Sequence, residues 1–256
     1  MFENIKGDWI KQDRLILCSC DERYFKIYFQ RFYTSFKDKW QLPIHIHIID
    51  PSKQSLKWLN DENISHTWCN TDSYHWSKTI NKFKIALPKY KNIDNGTIKQ
   101  WLYEDYTQCQ RFVVLGNNMT TSQSVIVSDV DAYAQHIPTR KEKKFLFSNT
   151  AFSYFRRRIM ATFCHFHPKH LSKIKTVARR IVKTINNNYF KLGLDQKILT
   201  EIYYDGLKSI GRYEKLNNKW IRHRDTKTKT DREEQNRCLI YHEKGSRGKI
   251  GWTDTK

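Results

Sequence analysis

Short apolar runs alternate along this chain with longer amphipathic stretches. Arg14-Leu15-Ile16-Leu17-Cys18 reads as a buried strand. Ser19-Cys20-Asp21-Glu22 follows with the spacing of a capping box, a serine three residues before a glutamate. Tyr24, Tyr28, Phe32 and Phe36 then recur at four-residue steps, flanked by Phe25, Phe29 and Tyr33, which predicts a helix with one wide apolar face. Ile44-His45-Ile46-His47-Ile48-Ile49 alternates as a second strand, Asp50-Pro51-Ser52 turns the chain, and 53–60 reads as a helix. Ile64 to Trp68 reads as a third strand. Strands and helices succeeding one another in this way predict a mostly parallel sheet flanked by helices, an α/β fold.

Further along, 97–115 reads as a helix broken by Gly116-Asn117-Asn118, and a strand at 124–128 runs into Asp129-Val130-Asp131. Phe145-Leu146-Phe147 and a run near 158–166 read as strands. Pro168 opens a basic amphipathic helix to about Thr184, ended by Asn186-Asn187-Asn188, and another helix starts at Leu194. After residue 211 the chain is polar, with Lys227 to Asp231 read as an exposed loop, until the run Cys238 to Tyr241 reaches His242. With no internal repeat and no Pro/Gly/Ser-rich linker, residues 1–256 are expected to form one domain, long enough to bury a full core.

Composition sharpens this picture in one respect. The chain has 46 Lys and Arg against 26 Asp and Glu, a net charge of +20, which favours anionic partners such as nucleotide, phosphorylated glycan, acidic lipid or nucleic acid. A lysine-rich surface without functional meaning gives the same number. Hydrophobic and aromatic contents of 39% and 14% exclude disorder. No apolar run approaches the ~20 residues of a membrane span, and the first residues lack a leader pattern, so a cytoplasmic protein is expected, with room for peripheral attachment to a membrane. The six cysteines show no metal-finger spacing and are expected to be reduced and mostly buried.

Candidate chemistry gathers at strand ends, where open parallel sheets bind their ligands. Asp129 and Asp131 share a face of an extended segment and so suit one divalent ion. Chance alone yields about one such pair in a chain of this composition, so the context carries the argument: two carboxylates this close at the mouth of a buried strand repel unless a cation separates them. The alternative is that they cap the following turn. His242 offers an imidazole, a good ligand for Mn²⁺ and less typical of Mg²⁺. Beyond it, Gly245 and Gly248 let backbone amides approach phosphate, and Arg247 and Lys249 carry charge; a plain basic tail is the competing reading. Arg111, a cation among apolar neighbours, wants a buried carboxylate or a diphosphate. Asp195 and Gln196 open a helix, where they either cap it or bind sugar hydroxyls. His165 and His167, two apart on one strand, are a weak metal signal and read as core or surface residues.

The order of strand–Ser-Cys-Asp-x-x-Tyr, helix–Arg-Phe, strand–Asp-Val-Asp-Ala, Leu-Asp-Gln and His-x-x-Gly with a later Lys resembles the GT-A glycosyltransferases. It is most similar to the family 8 type, which includes lipopolysaccharide galactosyltransferases and glycogenins. The resemblance spans roughly 14 to 252 and implies a Rossmann-like GT-A domain using Mn²⁺ and a nucleotide-sugar, usually a UDP-sugar, with retention of configuration. It further implies that Asp129, Asp131 and His242 ligate the metal. Ser19, Cys20, Asp21 and Tyr24 would line base and ribose, Arg111 would hold the donor or orient the aspartates, and Gly245 with Lys249 would contact the diphosphate. Asp195 and Gln196 would face the reacting sugar. The family pattern His-x-x-Gly-x-x-Lys-Pro-Trp is not kept, because Lys249 stands seven residues after His242, so Arg247 competes for the same contact.

The expected function is transfer of a sugar from a nucleotide-diphosphate donor to a glycan, lipid-linked or other anionic hydroxyl acceptor. If the reaction inverts, a carboxylate base is needed, and Asp195 is then the residue expected to serve. The rival readings are a metal-dependent nuclease and a non-catalytic nucleic-acid-binding protein that uses the basic helix.

Overall fold

Among the described residues, eight strands build the main sheet, and six of them run the same way. The computed structural model describes residues 5–72, 74–155, 158–187, 193–208, 214–216, 219–221 and 237–242. The first half comprises β1 (Lys6–Gly7), β2 (Arg14–Asp21), α1 (Glu22–Tyr24), a π-helical turn (Phe25–Phe29), α2 (Gln30–Trp40), β3 (Ile44–Ile49), α3 (Lys53–Asp61) and β4 (Ser65–Cys69). Next come α4 (Trp76–Ala86), a 3-10 turn (Pro88–Tyr90), α5 (Asn95–Asn118), β5 (Ser124–Asp129), β6 (Ala132–Ala134) and α6 (Arg140–Ser148). Then follow β7 (Ala151–Phe155), β8 (Arg158–Phe166), a 3-10 turn (Pro168–His170), α7 (Leu171–Asn186), α8 (Leu194–Lys208), β9 (Glu214–Lys215) and β10 (Ile240–His242). The sheet order is β1-β4-β3-β2-β5-β8-β7-β9. Strands β4, β3, β2 and β5 are mutually parallel, β7 and β9 share their direction, and β1 and β8 oppose it.

Alternation along the strands divides the core in two. Leu15, Leu17, Val125 and Val127 face one side, where α4, α5, α7 and α8 pack. Ile16, Cys18, Cys20 and Ile126 face the other, against α2, α3 and α6. Each fully buried side chain of this size contributes about 1.5–3 kcal/mol. The aromatic stripe of α2 needs a local adjustment. A four-residue repeat drifts about 40° per step on an α-helix, and the π turn at Phe25–Phe29 resets the phase, so that Phe29, Phe32, Phe36 and Trp40 are all buried.

Several expectations from the sequence are corrected. Phe145-Leu146-Phe147 is helical, not a strand: Thr139 and Glu142 form a reciprocal capping box that starts α6, and Leu146 and Phe147 enter the core. Gly116 does not break α5, which continues to Asn118, because Gly116 is a contact point. A Cβ there would lie 2.4 Å from Ala178 Cβ of α7. Asp21, not Ser19, caps α1 by accepting from Tyr24 N at 2.8 Å, while Glu22 accepts from Ser52 N and Ser55 Oγ. His45 and His47 are fully buried, with their rings bonded to Ser65 and Thr67 hydroxyls of β4. The exposed loop expected at Lys227 to Asp231 lies outside the described residues. All six cysteines are free and buried.

Candidate functional site

At the carboxyl ends of β2 and β5 the chain leaves a cavity of about 200 Å³. Register explains who meets there. Ser19 lies opposite Asp129 where β2 pairs β5, so the segment Ser19–Tyr24 and the aspartates share one rim. Past β5 the chain turns through Asp129-Val130-Asp131 and enters β6. Val130 is buried, and Asp129 and Asp131 on either side of it both line the cavity.

His242 arrives by a route the sequence did not suggest. Its strand is not part of the main sheet. β10 pairs antiparallel with β6 in a two-stranded ribbon, with His242 opposite Ala132, the residue after Asp131. His242 Nε2 lies 3.5 Å from Asp129 Oδ2 and 3.4 Å from Asp131 Oδ1. One ligand atom from each of the three residues falls within 4.8 Å of the others. Donors bound at ~2.1 Å around an octahedral ion stand about 3 Å apart, so the three groups could hold one divalent cation by drawing together.

Behind the aspartates, Arg111 of α5 is 2% exposed and donates through Nη1 to Asp129 Oδ1 and through Nη2 to Asp195 Oδ2 at 3.1 Å. Burial works against a charge on Asp129, but Arg111 and His242 outweigh it and hold its carboxyl below the usual range. Asp195 is wholly buried, and burial pushes its carboxyl up against the pull of Arg111. Its Oδ1 accepts from Gln196 N at 2.7 Å. Asp195 therefore stands behind the wall instead of facing a sugar, whereas Gln196 lines the cavity. The reason is the helix start: one side of the first turn of α8 faces the core and its neighbour faces the cleft.

At the other end, Ser19 Oγ donates to Thr107 O at 3.1 Å and so ties β2 to α5. Burial raises the Tyr24 phenol and the Cys20 thiol, so both keep their protons. Burial also raises Asp21. Sequence reading missed Glu104, Thr107 and Gln108, which line the cavity with Arg111. Their spacing on α5 is helical, and reading that periodicity outward from Arg111 would have found them. Met160 and Thr162, two apart on β8, complete the wall, and Thr162 bonds the Asp129 carboxylate. Gly245, Arg247 and Lys249 lie outside the described residues. His165 is core, its Nδ1 bonded to Asn149 O at 2.7 Å.

Among the described residues the cavity lining is acidic, although the chain is strongly basic. Asp21, Glu104, Asp129 and Asp131 line it, and Arg111 is already shared between two carboxylates. A diphosphate entering such a site requires added positive charge.

No protein-family model matches the chain, and no curated protein matches it. Solved structures do. An active-site mutant of LgtC aligns at 11% identity and TM-score 0.54 over 94% of this chain and 92% of that one. The galactosyltransferase LgtC in complex with donor and acceptor sugar analogs aligns at 12% identity and TM-score 0.52, over 91% of this chain and 87% of that one. The bifunctional glycosyltransferase WbbM, without ligand, aligns at 11% and 0.54, over 94% of this chain but 47% of that one. At such identities the likeness is one of fold: these neighbours are GT-A glycosyltransferases, and this chain has their architecture.

Proposed function

We propose that the chain works as a single metal-dependent glycosyltransferase domain, moving a hexose from a nucleotide-diphosphate donor, a UDP-sugar in the first instance, to a hydroxyl acceptor on a glycan or lipid-linked sugar. One observation carries the reading: Asp129, Asp131 and His242 converge on the wall of a cavity at the carboxyl edge of parallel strands. These three residues would hold Mn²⁺. When bound, that ion supplies Lewis-acid charge at the leaving diphosphate.

The chain's own groups do the rest. Arg111 fixes the orientation of Asp129 and keeps it ionised. Tyr24, protonated, donates a hydrogen bond at the nucleoside end, beside Asp21 and Cys20. Gln196 presents a neutral carboxamide to the reacting sugar. Arg247 or Lys249 would add preorganised charge at the diphosphate. Retention is supported by the position of Asp195, which is buried behind Arg111 and so poorly placed as a base for the acceptor. Nuclease and nucleic-acid-binding readings have no comparable observation behind them.

The test is release of nucleoside diphosphate from a panel of UDP-, GDP- and CDP-sugars with Mn²⁺, followed by chromatography. Turnover of one donor by the wild type, lost in Asp131→Asn, is the expected result. Silence across the panel, with and without added glycan acceptors, contradicts the reading.

A further inference from the structure

Away from the cavity, charge is distributed very unevenly on one side of the sheet. Residues 74–93, covering α4 and the turn after it, carry Lys78, Lys82, Lys84, Lys89 and Lys91 and no acidic residue. Residues 168–187, covering α7 and the turn before it, carry Lys169, Lys173, Lys175, Arg179, Arg180 and Lys183, again with no acidic residue. Both helices cover the same core: Ile80 and Phe83 of α4 join Ile174, Val177, Ile181 and Ile185 of α7. They meet where Lys82 Nζ donates to Asn187 O at 2.8 Å and where the Tyr74 hydroxyl lies 3.5 Å from Ile185 O. Beneath them α5 is buried from Cys109 to Gly116, more than two full turns, so the outward faces of α4 and α7, with α8 beside α7, cover this flank.

Among these cations sits apolar surface. Ile85 is 79% exposed, and Pro88 is exposed beside half-buried Leu87 and Tyr90. We propose that this flank docks on an anionic phospholipid bilayer, with the cations over the headgroups and the Ile85–Pro88 turn entering the interface. Lysines near an acidic leaflet are worth roughly fivefold each in partition, and burying an isoleucine adds to that without needing charge. Nucleic acid is less well matched: a phosphate backbone gains nothing from Ile85, and lysine predominates here over the forked guanidinium that suits phosphate. Glu201 of α8 pairs with Arg180 and Lys197, so Arg180 contributes less than its neighbours.

The test is sedimentation of the full chain with vesicles of phosphatidylcholine, alone or mixed with phosphatidylglycerol. Binding to the mixed vesicles only, weakened by salt, is expected. Lys78→Gln, Lys89→Gln and Lys91→Gln together should lower partition by about 100-fold. Ile85→Gln should lower it by about tenfold at unchanged charge. Lys37→Gln, Lys141→Gln and Lys144→Gln, on α2 and α6 across the sheet, remove the same charge and should cost less than about fivefold. Circular dichroism confirms that each variant is folded, these being exposed positions. No binding to acidic vesicles at low salt, or equal losses from the two triple variants, overturns the proposal. So does unchanged partition of Ile85→Gln together with displacement by a short DNA duplex, which would reassign the flank to nucleic acid.

Discussion

His242 Nε2 lies 3.4 Å from Asp131 Oδ1, and backbone pairing places it there: β10 and β6 pair so that His242 faces the residue following Asp131. The triad is thus closed by a ribbon lying apart from the main sheet. Tyr133 and Tyr241 stack across this ribbon with centroids 4.9 Å apart, which helps hold its register. Removing the imidazole should therefore leave the fold intact and weaken the ion. His242→Ala is expected to lower Mn²⁺ affinity by more than the ~10–100-fold typical of losing an outer partner of a metal ligand. Titration of Mn²⁺ followed by electron paramagnetic resonance measures this; an unchanged affinity would remove His242 from the ligand set.

Arg111 joins Asp129 to Asp195 inside the protein. Arg111→Met leaves two buried carboxylates without their shared cation and is expected to destabilise the fold by about 3–5 kcal/mol. Urea denaturation reports the loss. A drop below about 1 kcal/mol would mean that solvent reaches these groups.

Three buried histidines set the acid limit. Burial holds His45, His47 and His165 down to about 3, from an ordinary 6.5. A folded-state value below the unfolded one means the unfolded chain binds more protons in between. Stability is then complete above pH 6.5 and drains as pH falls from there toward 3. Urea midpoints measured across this window should fall steadily, with a slope approaching three protons near its middle. A flat profile down to the carboxylate range contradicts the neutral buried rings.

The contact of α5 with α7 depends on Gly116. A Cβ there would meet Ala178 Cβ at 2.4 Å and Ile174 O at 3.2 Å. Gly116→Ala is expected to cost about 1–3 kcal/mol from overpacking, against the ~1 kcal/mol that alanine otherwise gains over glycine in a helix. Ala178→Gly in the same chain should recover part of the loss, and thermal melts of the four members of the cycle measure it.

How much of this was legible in the sequence depended on whether the signal was local. The strand at Leu15 to Leu17, the aromatic helix after it and the Asp129-Val130-Asp131 turn all declare themselves through periodicity or burial. Gly116 misled because close packing against another helix and chain breaking call for the same residue. The burial of His45 and His47 was not legible locally, because the hydroxyls that satisfy their rings sit on β4. Phe145 to Phe147 was read without the Thr139/Glu142 box upstream. In the site, Asp195 and Gln196 look equivalent along the chain, and only tertiary packing sends one inward to Arg111 and the other to the cavity. The convergence of His242 needed a pairing with β6, a strand too short to announce itself.

The account stands on a divalent ion joining these acids to a nucleotide diphosphate, and calorimetric titration of UDP into the wild-type chain tests that most directly. With Mn²⁺ present, UDP is expected to bind; without it, or in Asp131→Asn, the heat of binding should disappear, because the cavity acids then repel the diphosphate. Equal affinity for UDP with and without the metal would contradict the account.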